Sequence, residues 1–310
     1  KNPNAVILYQ GRTSKPLVSW VCRLADRAGA ANHWYALRCS CTQKCYFTHS
    51  AKICKIAYLC GMRKGLLYLI PSPIGDVAPA EVIPQSVLEL LPRINHFVVE
   101  ELRTVRRYLS NAGLKGKIDS LNFYLLNEHT PKDQVEKYLQ ILLCGEDVGL
   151  ISEAGLPAVA DPGAYLVELA QRADIEVVPL VGPSSLMMAL MASGLNGQCF
   201  AFNGYLPVKE PERTKEIKEL ERLSAKRGQS QIFIETPYRN ERLLADFLQN
   251  CAPSTRLTVA ADISMPTQFI KTKSIEEWRR VVAKGAVGAA DTAKGGFVIG
   301  KRPCVFILLA

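Results

Sequence analysis

From residue 62 onward, short apolar runs alternate along the chain with longer amphipathic stretches. Apolar runs of strand length occupy residues 66–70, 96–100, 121–125, 148–152 and 175–181, and helical patterns lie between them at residues 81–91, 103–111, 132–144 and 164–173. A connection between parallel strands needs a long crossover, which a helix usually provides. The alternation therefore predicts an α/β fold in which a parallel sheet carries helices on both faces.

The pattern changes after a further helical stretch at residues 184–192. Apolar runs of β type follow at residues 199–203, 231–235, 257–262 and 304–309, with helical patterns at residues 213–227 and 240–250. The chain of 310 residues is also longer than one typical domain of roughly 100–200 residues. We predict an N-terminal α/β domain over residues 62–183 and a C-terminal α/β domain over residues 184–310, each with helices that flank a mixed or parallel sheet.

Residues 1–61 form a leader that differs from the rest of the chain. They contain nine basic residues and one acidic residue, and therefore +8 of the net charge of +9, which leaves 29 basic and 28 acidic residues for the remainder. The leader shows no sustained periodicity, so we expect it to be poorly ordered and to lie outside the folded unit. Its cysteines and His49 could instead bind a metal, although no C-x2-C knuckle is present. An acid-poor transit peptide is a third interpretation.

Four further cysteines, Cys144, Cys199, Cys251 and Cys304, are scattered along the remainder of the chain. Disulfide frameworks are typical of short secreted chains with closely spaced cysteines, so this wide spacing indicates free thiols in a reducing compartment. No apolar run reaches the ~20 residues that a helical membrane span requires. We therefore expect a cytoplasmic protein that does not enter a membrane.

Loops rich in glycine and proline follow three of the predicted strands, at residues 71–76, 152–163 and 182–185. In open α/β sheets, ligands bind in the crevice beyond the carboxyl ends of the strands. We therefore expect these three loops to converge on one ligand site. The sequence contains no G-x-G-x-x-G after the first strand and no G-x4-G-K-[ST], which argues against dinucleotide and nucleoside triphosphate ligands.

Six motifs stand in a fixed order along this region. They are P-S-P-I-G at residues 71–75, E-E-L-R at 100–103, S-E-A-G-L-P followed by D-P-G at 152–163, G-P-S at 182–184, G-Y-L-P-V-K at 204–209 and E-T-P-Y-R at 235–239. In type and order they resemble the motifs of the tetrapyrrole methylase superfamily. Within it, the chain is most similar to the ribosomal RNA small subunit methyltransferase I group.

This resemblance implies that the chain binds S-adenosyl-L-methionine in a cleft between the two domains and transfers its methyl group. It also implies a homodimer and, as substrate, the 2'-hydroxyl of a cytidine in small-subunit ribosomal RNA. The residues that it places around the cofactor are Pro73, Gly75, Ser152, Glu153, Ala154, Gly155, Pro157, Ser184 and Ser185 on one side, and Glu235 and Ala261 on the other.

Two residues are candidates for the chemistry, Glu101 and Arg103. Methyl transfer from a sulfonium needs positioning of the acceptor and exclusion of water, and no metal is required. A ribose hydroxyl must also lose its proton, which Glu101 could accept or orient at the end of a strand. Arg103 could hold an RNA phosphate. Alternatively, Glu101 caps the following helix and Arg103 is a solvated helix residue.

Three departures from the family pattern affect the substrate assignment. Glu153 stands where aspartate is usual, Leu102 replaces threonine, and residues 261–265 read A-D-I-S-M where a basic R-E-L-T-K segment is general. Affinity for RNA comes largely from neutralised phosphates, so the missing basic segment weakens the RNA hypothesis. Two alternatives follow: methylation of a small molecule such as a tetrapyrrole, and a module that binds cofactor or RNA without turnover.

Overall fold

The structure is a computed structural model that describes residues 35–38, 44–47, 63–283 and 298–310. In the leader, strands β1 (Tyr35–Arg38) and β2 (Lys44–Phe47) pair in antiparallel orientation. The sequence did not predict this hairpin, because four residues are too few for a strand period to be recognised. The other predictions for the leader lie outside the described residues.

The first large sheet contains five parallel strands in the order β5-β4-β6-β3-β7. Its strands are β3 (Leu67–Ile70), β4 (His96–Val99), β5 (Asn122–Leu125), β6 (Val148–Ile151) and β7 (Val177–Pro179). The central strand β6 is buried at every position, as its uninterrupted apolar sequence predicts for a strand covered on both faces. The carboxyl ends of all five strands therefore lie along one edge.

Helices cover both faces of this first sheet. They are α1 (Pro79–Val82), α2 (Gln85–Leu90), α3 (Leu102–Leu109), α4 (Lys132–Leu143) and α5 (Ala164–Arg172). Phe97 and Val99 of β4 pack with α1, α2 and α3, whereas Val98 packs with α4 and α5 on the other face. The single helix predicted over residues 81–91 is wrong, because Pro84 lacks an amide proton and separates α1 from α2.

The second large sheet is mixed and has the strand order β11-β10-β12-β9-β8. Its strands are β8 (Phe200–Phe202), β9 (Ser230–Glu235), β10 (Arg256–Ala261), β11 (Phe269–Ser274) and β12 (Cys304–Leu309). Strands β8 and β9 are parallel, and the other neighbours are antiparallel. Edge strand β11 was not predicted, because its polar, half-exposed sequence lacks an apolar run.

Helix α6 (Ser185–Ser193) packs on one face of this second sheet. The other face is covered by α7 (Glu212–Arg227), α8 (Asn240–Asn250) and α9 (Ile275–Ala283). The predicted α/β class, with a parallel sheet and a mixed sheet that each carry helices, is confirmed. The boundary predicted between residues 183 and 184 stays a prediction.

The described cysteines do not all match the expectation of free thiols. Cys199, Cys251 and Cys304 are free, and the last two are buried. Cys144 is disulfide-bonded, so the expectation is wrong at this position. Cys144 ends α4 and is exposed, which leaves its sulfur accessible for pairing, and sequence spacing alone does not reveal that exposure.

A buried arginine fixes the loop that follows β8. The guanidinium of Arg213 is almost fully buried in α7, and its Nε lies 2.6 Å from Asp246 Oδ2 of α8. Its Nη2 lies 2.9 Å from Glu210 Oε1, and Nη1 donates to the backbone carbonyl of Val208. These bonds attach the G-Y-L-P-V-K segment to two helices of the second sheet.

We expect Arg213→Met to lower the free energy of unfolding by about 3 kcal/mol, because it leaves the Asp246 carboxylate, which is only 15% exposed, without its partner. Urea denaturation measures this change. Arg222→Met, on the exposed face of the same helix, is the control and should change stability by no more than about 0.5 kcal/mol. Equal effects of the two substitutions would contradict this role of Arg213.

Candidate active site

Loops from three parallel strands meet beyond the carboxyl edge of the first sheet. Ser72 and Gly155 exchange two backbone hydrogen bonds of 2.9 and 3.1 Å, which join the first loop to the second. Ser72 Oγ also donates to the Ser152 carbonyl at 3.3 Å. Glu100, at the end of β4, accepts a 3.0 Å hydrogen bond from the Glu153 amide. The loops are thus held together mainly by their backbones.

Gly155, in the second loop, lies close to both of the other loops. A Cβ atom there would lie 3.2 Å from Ile74 Cγ2 of the first loop and 3.7 Å from the Pro183 carbonyl oxygen of the third. Its φ of +82° is also a conformation that residues with a side chain rarely adopt. The contact between the third loop and the first is tighter still, since a Cβ on Gly182 would lie 2.1 Å from Pro71 Cβ. The three loops therefore converge, as the sequence led us to expect.

Two small cavities open between these loops and the second sheet. The inter-sheet cavity of about 190 Å³ is lined by Ile74, Ser185, Ile234, Glu235, Pro237, Ala260, Asp262, Ile263, Met265, Pro303, Cys304 and Val305. The loop cavity of about 120 Å³ is lined by Ala154, Gly155, Leu156, Val159, Ala160, Asp161, Ser184, Ser185, Leu186 and Ile234. Ser185 and Ile234 line both, so the two cavities adjoin.

Glu235 brings a buried carboxylate to the wall of the inter-sheet cavity. Its Oε1 accepts hydrogen bonds from the amide of Thr236 at 2.6 Å and from Arg239 Nη2 at 2.7 Å. The Thr236 hydroxyl and Arg239 Nε bind the same oxygen. This network holds the carboxylate at the end of β9 with its charge compensated.

A larger opening, which we call the outer cleft, adjoins the loop cavity. It has a volume of about 820 Å³, and its walls contain the titratable side chains of Glu100, Glu101, Glu128, His129, Lys132, Glu153, Asp161, Tyr165 and Tyr205. Five carboxylates and one lysine make this cleft strongly acidic. Its polar walls therefore suit ligands that present hydrogen-bond donors or cations.

Within the outer cleft, Asp161 has the most perturbed acid group. Burial raises its pKa to about 6, and the nearby Glu100 carboxylate adds to the shift. Burial is also the main cause that raises the pKa of the Tyr205 phenol, with the charge of Asp161 next. The D-P-G motif contains Asp161, but its importance depends on burial that sequence does not show. Sequence reasoning missed both residues as site residues.

Glu101 lines the outer cleft and also caps α3. Its Oε2 accepts the Thr104 amide at 2.5 Å, in the geometry of a helix N-cap. Backbone hydrogen bonds from Thr104 and Arg103 are the main causes that lower the Glu101 pKa. Arg103 is exposed on the same helix. The capping alternative thus describes the geometry of Glu101, and the catalytic roles of both residues stay predictions.

The other predicted cofactor residues fall into two groups. Ala154, Gly155, Ser184, Ser185 and Glu235 line the inter-sheet or loop cavity, and Glu153 lines the outer cleft. Pro73, Gly75, Ser152, Pro157 and Ala261 line none of these three openings. The side chain of Ala261 packs in the core behind β10, and its neighbours in sequence line the cavity instead, because side chains alternate along a strand.

Gly75 lies against the loop that follows β10. A Cβ there would lie 2.6 Å from Met265 Cγ, so the first loop contacts the loop after β10 through this glycine. Met265 in turn lines the inter-sheet cavity.

The arrangement defines a two-sheet α/β protein with a crevice between a parallel sheet and a mixed sheet, the architecture of a class of methyltransferases. The chain is similar in fold to a solved structure of the methyltransferase CobJ, with a TM-score of 0.51 and 16% identity over 79% of this chain and 94% of that one. It is likewise similar to diphthine synthase, with a TM-score of 0.52 and 14% identity over 79% of this chain and 90% of that one.

Residues 67–278 match the model of the family described as Tetrapyrrole (Corrin/Porphyrin) Methylases, and the chain belongs to this family. Among its relatives is Ribosomal RNA small subunit methyltransferase I of Neisseria meningitidis serogroup B, 34% identical over 74% of this chain and 70% of the relative. The protein of the same name in Vibrio cholerae is 30% identical over 68% of this chain and 69% of the relative. The resemblance seen in the sequence motifs is thereby confirmed.

A substitution at Gly155 tests directly whether the loops lie as close together as the structure shows. Gly155→Ala should lower the free energy of unfolding by about 1–3 kcal/mol, because alanine is strained at this φ and its methyl presses on Ile74. Gly116→Ala is the control, since a Cβ there meets no atom within 4 Å. Thermal and urea unfolding would measure both, and an unchanged Gly155→Ala protein would contradict the close approach.

Proposed function

We propose that this chain is an S-adenosyl-L-methionine-dependent methyltransferase that methylates the 2'-hydroxyl of a cytidine in small-subunit ribosomal RNA. The observation that carries the proposal is the crevice in which three backbone-joined loops face the second sheet, with cavities beside Ser185 and Ile234. Membership of the methylase family and the names of the relatives support the reaction and the RNA substrate.

The inter-sheet cavity has the chemical character that this cofactor needs. Ile74, Ile234 and Ile263 give it apolar walls suited to an adenine ring, while the Glu235 carboxylate, paired with Arg239, adds a group that accepts hydrogen bonds. The hydroxyl oxygen of Ser264 is buried beside Gly75 without a hydrogen-bond partner in the described part of the chain. A buried polar atom without a partner is rare in a folded protein, and a polar group of a ligand or a water molecule would complete it.

Three residues that line the inter-sheet cavity would hold the cofactor: Ile74, Ser185 and Glu235. When bound, S-adenosyl-L-methionine supplies an electrophilic methyl group. The chain's own contribution is then to fix the distance and direction between this methyl and the acceptor and to keep water out. The rigid backbone contacts at Gly155 and Gly182 suit that role, because neither loop can shift without its neighbour.

The outer cleft is the proposed site of the acceptor nucleotide. Carboxylates accept hydrogen bonds from the amino group of cytosine, which favours a base over a phosphate in the acidic part of the cleft. Lys132 lines the same cleft. Arg103 is exposed on α3, two residues after Glu101, which lines the cleft. These two cations would contact phosphates at the margin of the cleft.

Assembly and location complete the proposal. We propose a homodimer, supported by the apolar side chains of Val181, Met187 and Met191, which are exposed on α6 and just before it. We also propose a cytoplasmic location, where ribosomal RNA is found. Among the helices that the structure describes, none has the length and apolar character needed to cross a membrane.

A small-molecule substrate is the second candidate. Residues 261–265 carry no basic side chain, and the chain from residue 62 onward has 29 basic and 28 acidic residues, which gives little attraction for RNA. The family name points to tetrapyrroles as the class of molecule to test.

Calorimetric titration of the full chain with S-adenosylhomocysteine tests the cofactor. We expect saturable one-to-one binding that Ser185→Phe weakens at least about tenfold, because the ring fills both cavities and a tenfold loss is only 1.4 kcal/mol. Ser254→Phe, at an exposed position of a turn, is the matched control and should bind normally. Absence of binding by the unmodified chain would overturn the proposal.

Transfer of a labelled methyl group tests the substrate. Undermethylated small ribosomal subunits, free ribosomal RNA and a porphyrinogen panel are each incubated with the chain and labelled S-adenosylmethionine. We expect label in the ribosomal RNA, at the ribose of a cytidine. Label in a porphyrinogen alone would assign the second candidate function.

A further inference from the structure

We propose that the carboxylate of Asp161 is the general base that removes the proton of the acceptor hydroxyl, an assignment that rests on the proposed function. It differs from the role that the sequence suggested for Glu101. The assignment follows from the position of Asp161 between the cavities and from the conformation of its loop.

Asp161 stands where the loop cavity meets the outer cleft. Ala160 and Asp161 line both openings, and no other described residue is common to the two. The loop cavity adjoins the inter-sheet cavity through Ser185 and Ile234. An acceptor in the outer cleft that reaches toward a methyl group in the inner cavities must therefore pass this junction. Ala160 has no group that accepts a proton, which leaves the carboxylate of Asp161.

The backbone around Asp161 is held in a costly conformation. Ala158 and Ala160 have positive φ angles of 63° and 65°, and Gly163 has φ 129°. Such conformations cost roughly 1–3 kcal/mol each for residues with a side chain and persist only where their surroundings enforce them. A Cβ on Gly163 would lie 2.7 Å from Leu150 Cδ2, so β6 is one part of that surrounding. The loop is thereby built to place residues 160 and 161 at the junction.

The protonation behaviour of Asp161 suits a base near neutral pH. Its raised pKa of about 6 leaves it ionised at pH 7 to 8 but more basic than an ordinary aspartate. The charged and titratable groups that share its cleft or influence its pKa are Glu100, Glu101, Glu128, His129, Lys132, Glu153, Tyr165 and Tyr205. Of these groups, the Glu100 and Glu153 carboxylates raise the pKa of Asp161, in the same direction as burial.

Glu101 is less suited to the same step. Its carboxylate already accepts the Thr104 amide, and those backbone hydrogen bonds lower its pKa. It lines the outer cleft but not the loop cavity. A proton transferred to Glu101 would therefore weaken the hydrogen bond that caps α3. Glu101 also lies outside the junction between the loop cavity and the outer cleft.

The proposed methyl transfer consists of three simultaneous changes. The acceptor oxygen forms a bond to the methyl carbon, and the bond between that carbon and sulfur breaks with its electron pair remaining on sulfur. The proton of the acceptor hydroxyl passes to the Asp161 carboxylate. The sulfonium becomes a neutral thioether, and Asp161 later returns its proton to solvent through the open outer cleft.

Single-turnover methyl transfer to small ribosomal subunits tests the assignment in full-length Asp161→Asn. General base catalysis contributes on the order of 10²–10⁴-fold, so we expect the rate to fall by that factor. Binding of S-adenosylhomocysteine, measured by calorimetry, should stay within about threefold of the unmodified chain. Asp174→Asn is the control, because Asp174 is exposed at the opposite edge of the sheet and has a φ of 49° that asparagine tolerates.

The pH profile separates a base from a structural residue. The base is active when ionised, so the single-turnover rate of the unmodified chain should rise with pH through about 6 and then level off. Asp161→Asn should lose this rise and keep a low, flat rate. A variant that retains more than a tenth of the rate, or that no longer binds S-adenosylhomocysteine, would overturn the assignment.

Two further outcomes distinguish this inference from the proposed function. If Glu101→Gln loses turnover while Asp161→Asn retains it, Glu101 is the base and Asp161 is not. If the unmodified chain binds S-adenosylhomocysteine but methylates no ribosomal subunit, the proposed substrate fails, and the assignment built on it fails with it.

Discussion

The candidate site depends on one short backbone pairing, the two hydrogen bonds between Ser72 and Gly155. These residues come from loops that follow different strands of the first sheet, and glycine lets their backbones approach without a side chain between them. The third loop reaches the same place because Gly182 packs directly on Pro71. With the three loops fixed, Ile74 reaches the apolar cluster under α6, and the first sheet contacts the second. Cavities on either side of this contact are thus products of backbone geometry rather than of particular polar side chains.

The charged side chains of the site lie outside the contact between the first loop and the second sheet. Glu235 is neutralised by Arg239 at the inner cavity, while the outer cleft contains several carboxylates and little positive charge. The difference in environment gives the carboxyl groups different tasks. Glu101 is stabilised as a helix cap with a lowered pKa, whereas burial raises the pKa of Asp161. One acidic surface therefore contains both a structural carboxylate and a candidate base.

The sequence predicted those features that local pattern determines. The continuous apolar run of β6 and the glycine and proline loops predicted the parallel sheet and the edge at which the three loops converge. Strand β11 was missed because an edge strand needs only one buried face. Asp161 was missed as a site residue because its burial and its position between two cavities arise from tertiary packing. Ala261 was expected at the cofactor, but strand alternation turns its side chain into the core.

The most direct test of the central claim is a crystal structure of the chain with bound S-adenosylhomocysteine. We predict density for the ligand between the three loops and the second sheet, in contact with Ile74, Ser185 and Glu235, with its sulfur directed toward Asp161. Density for the ligand elsewhere, with side chains closing this crevice, would contradict the account.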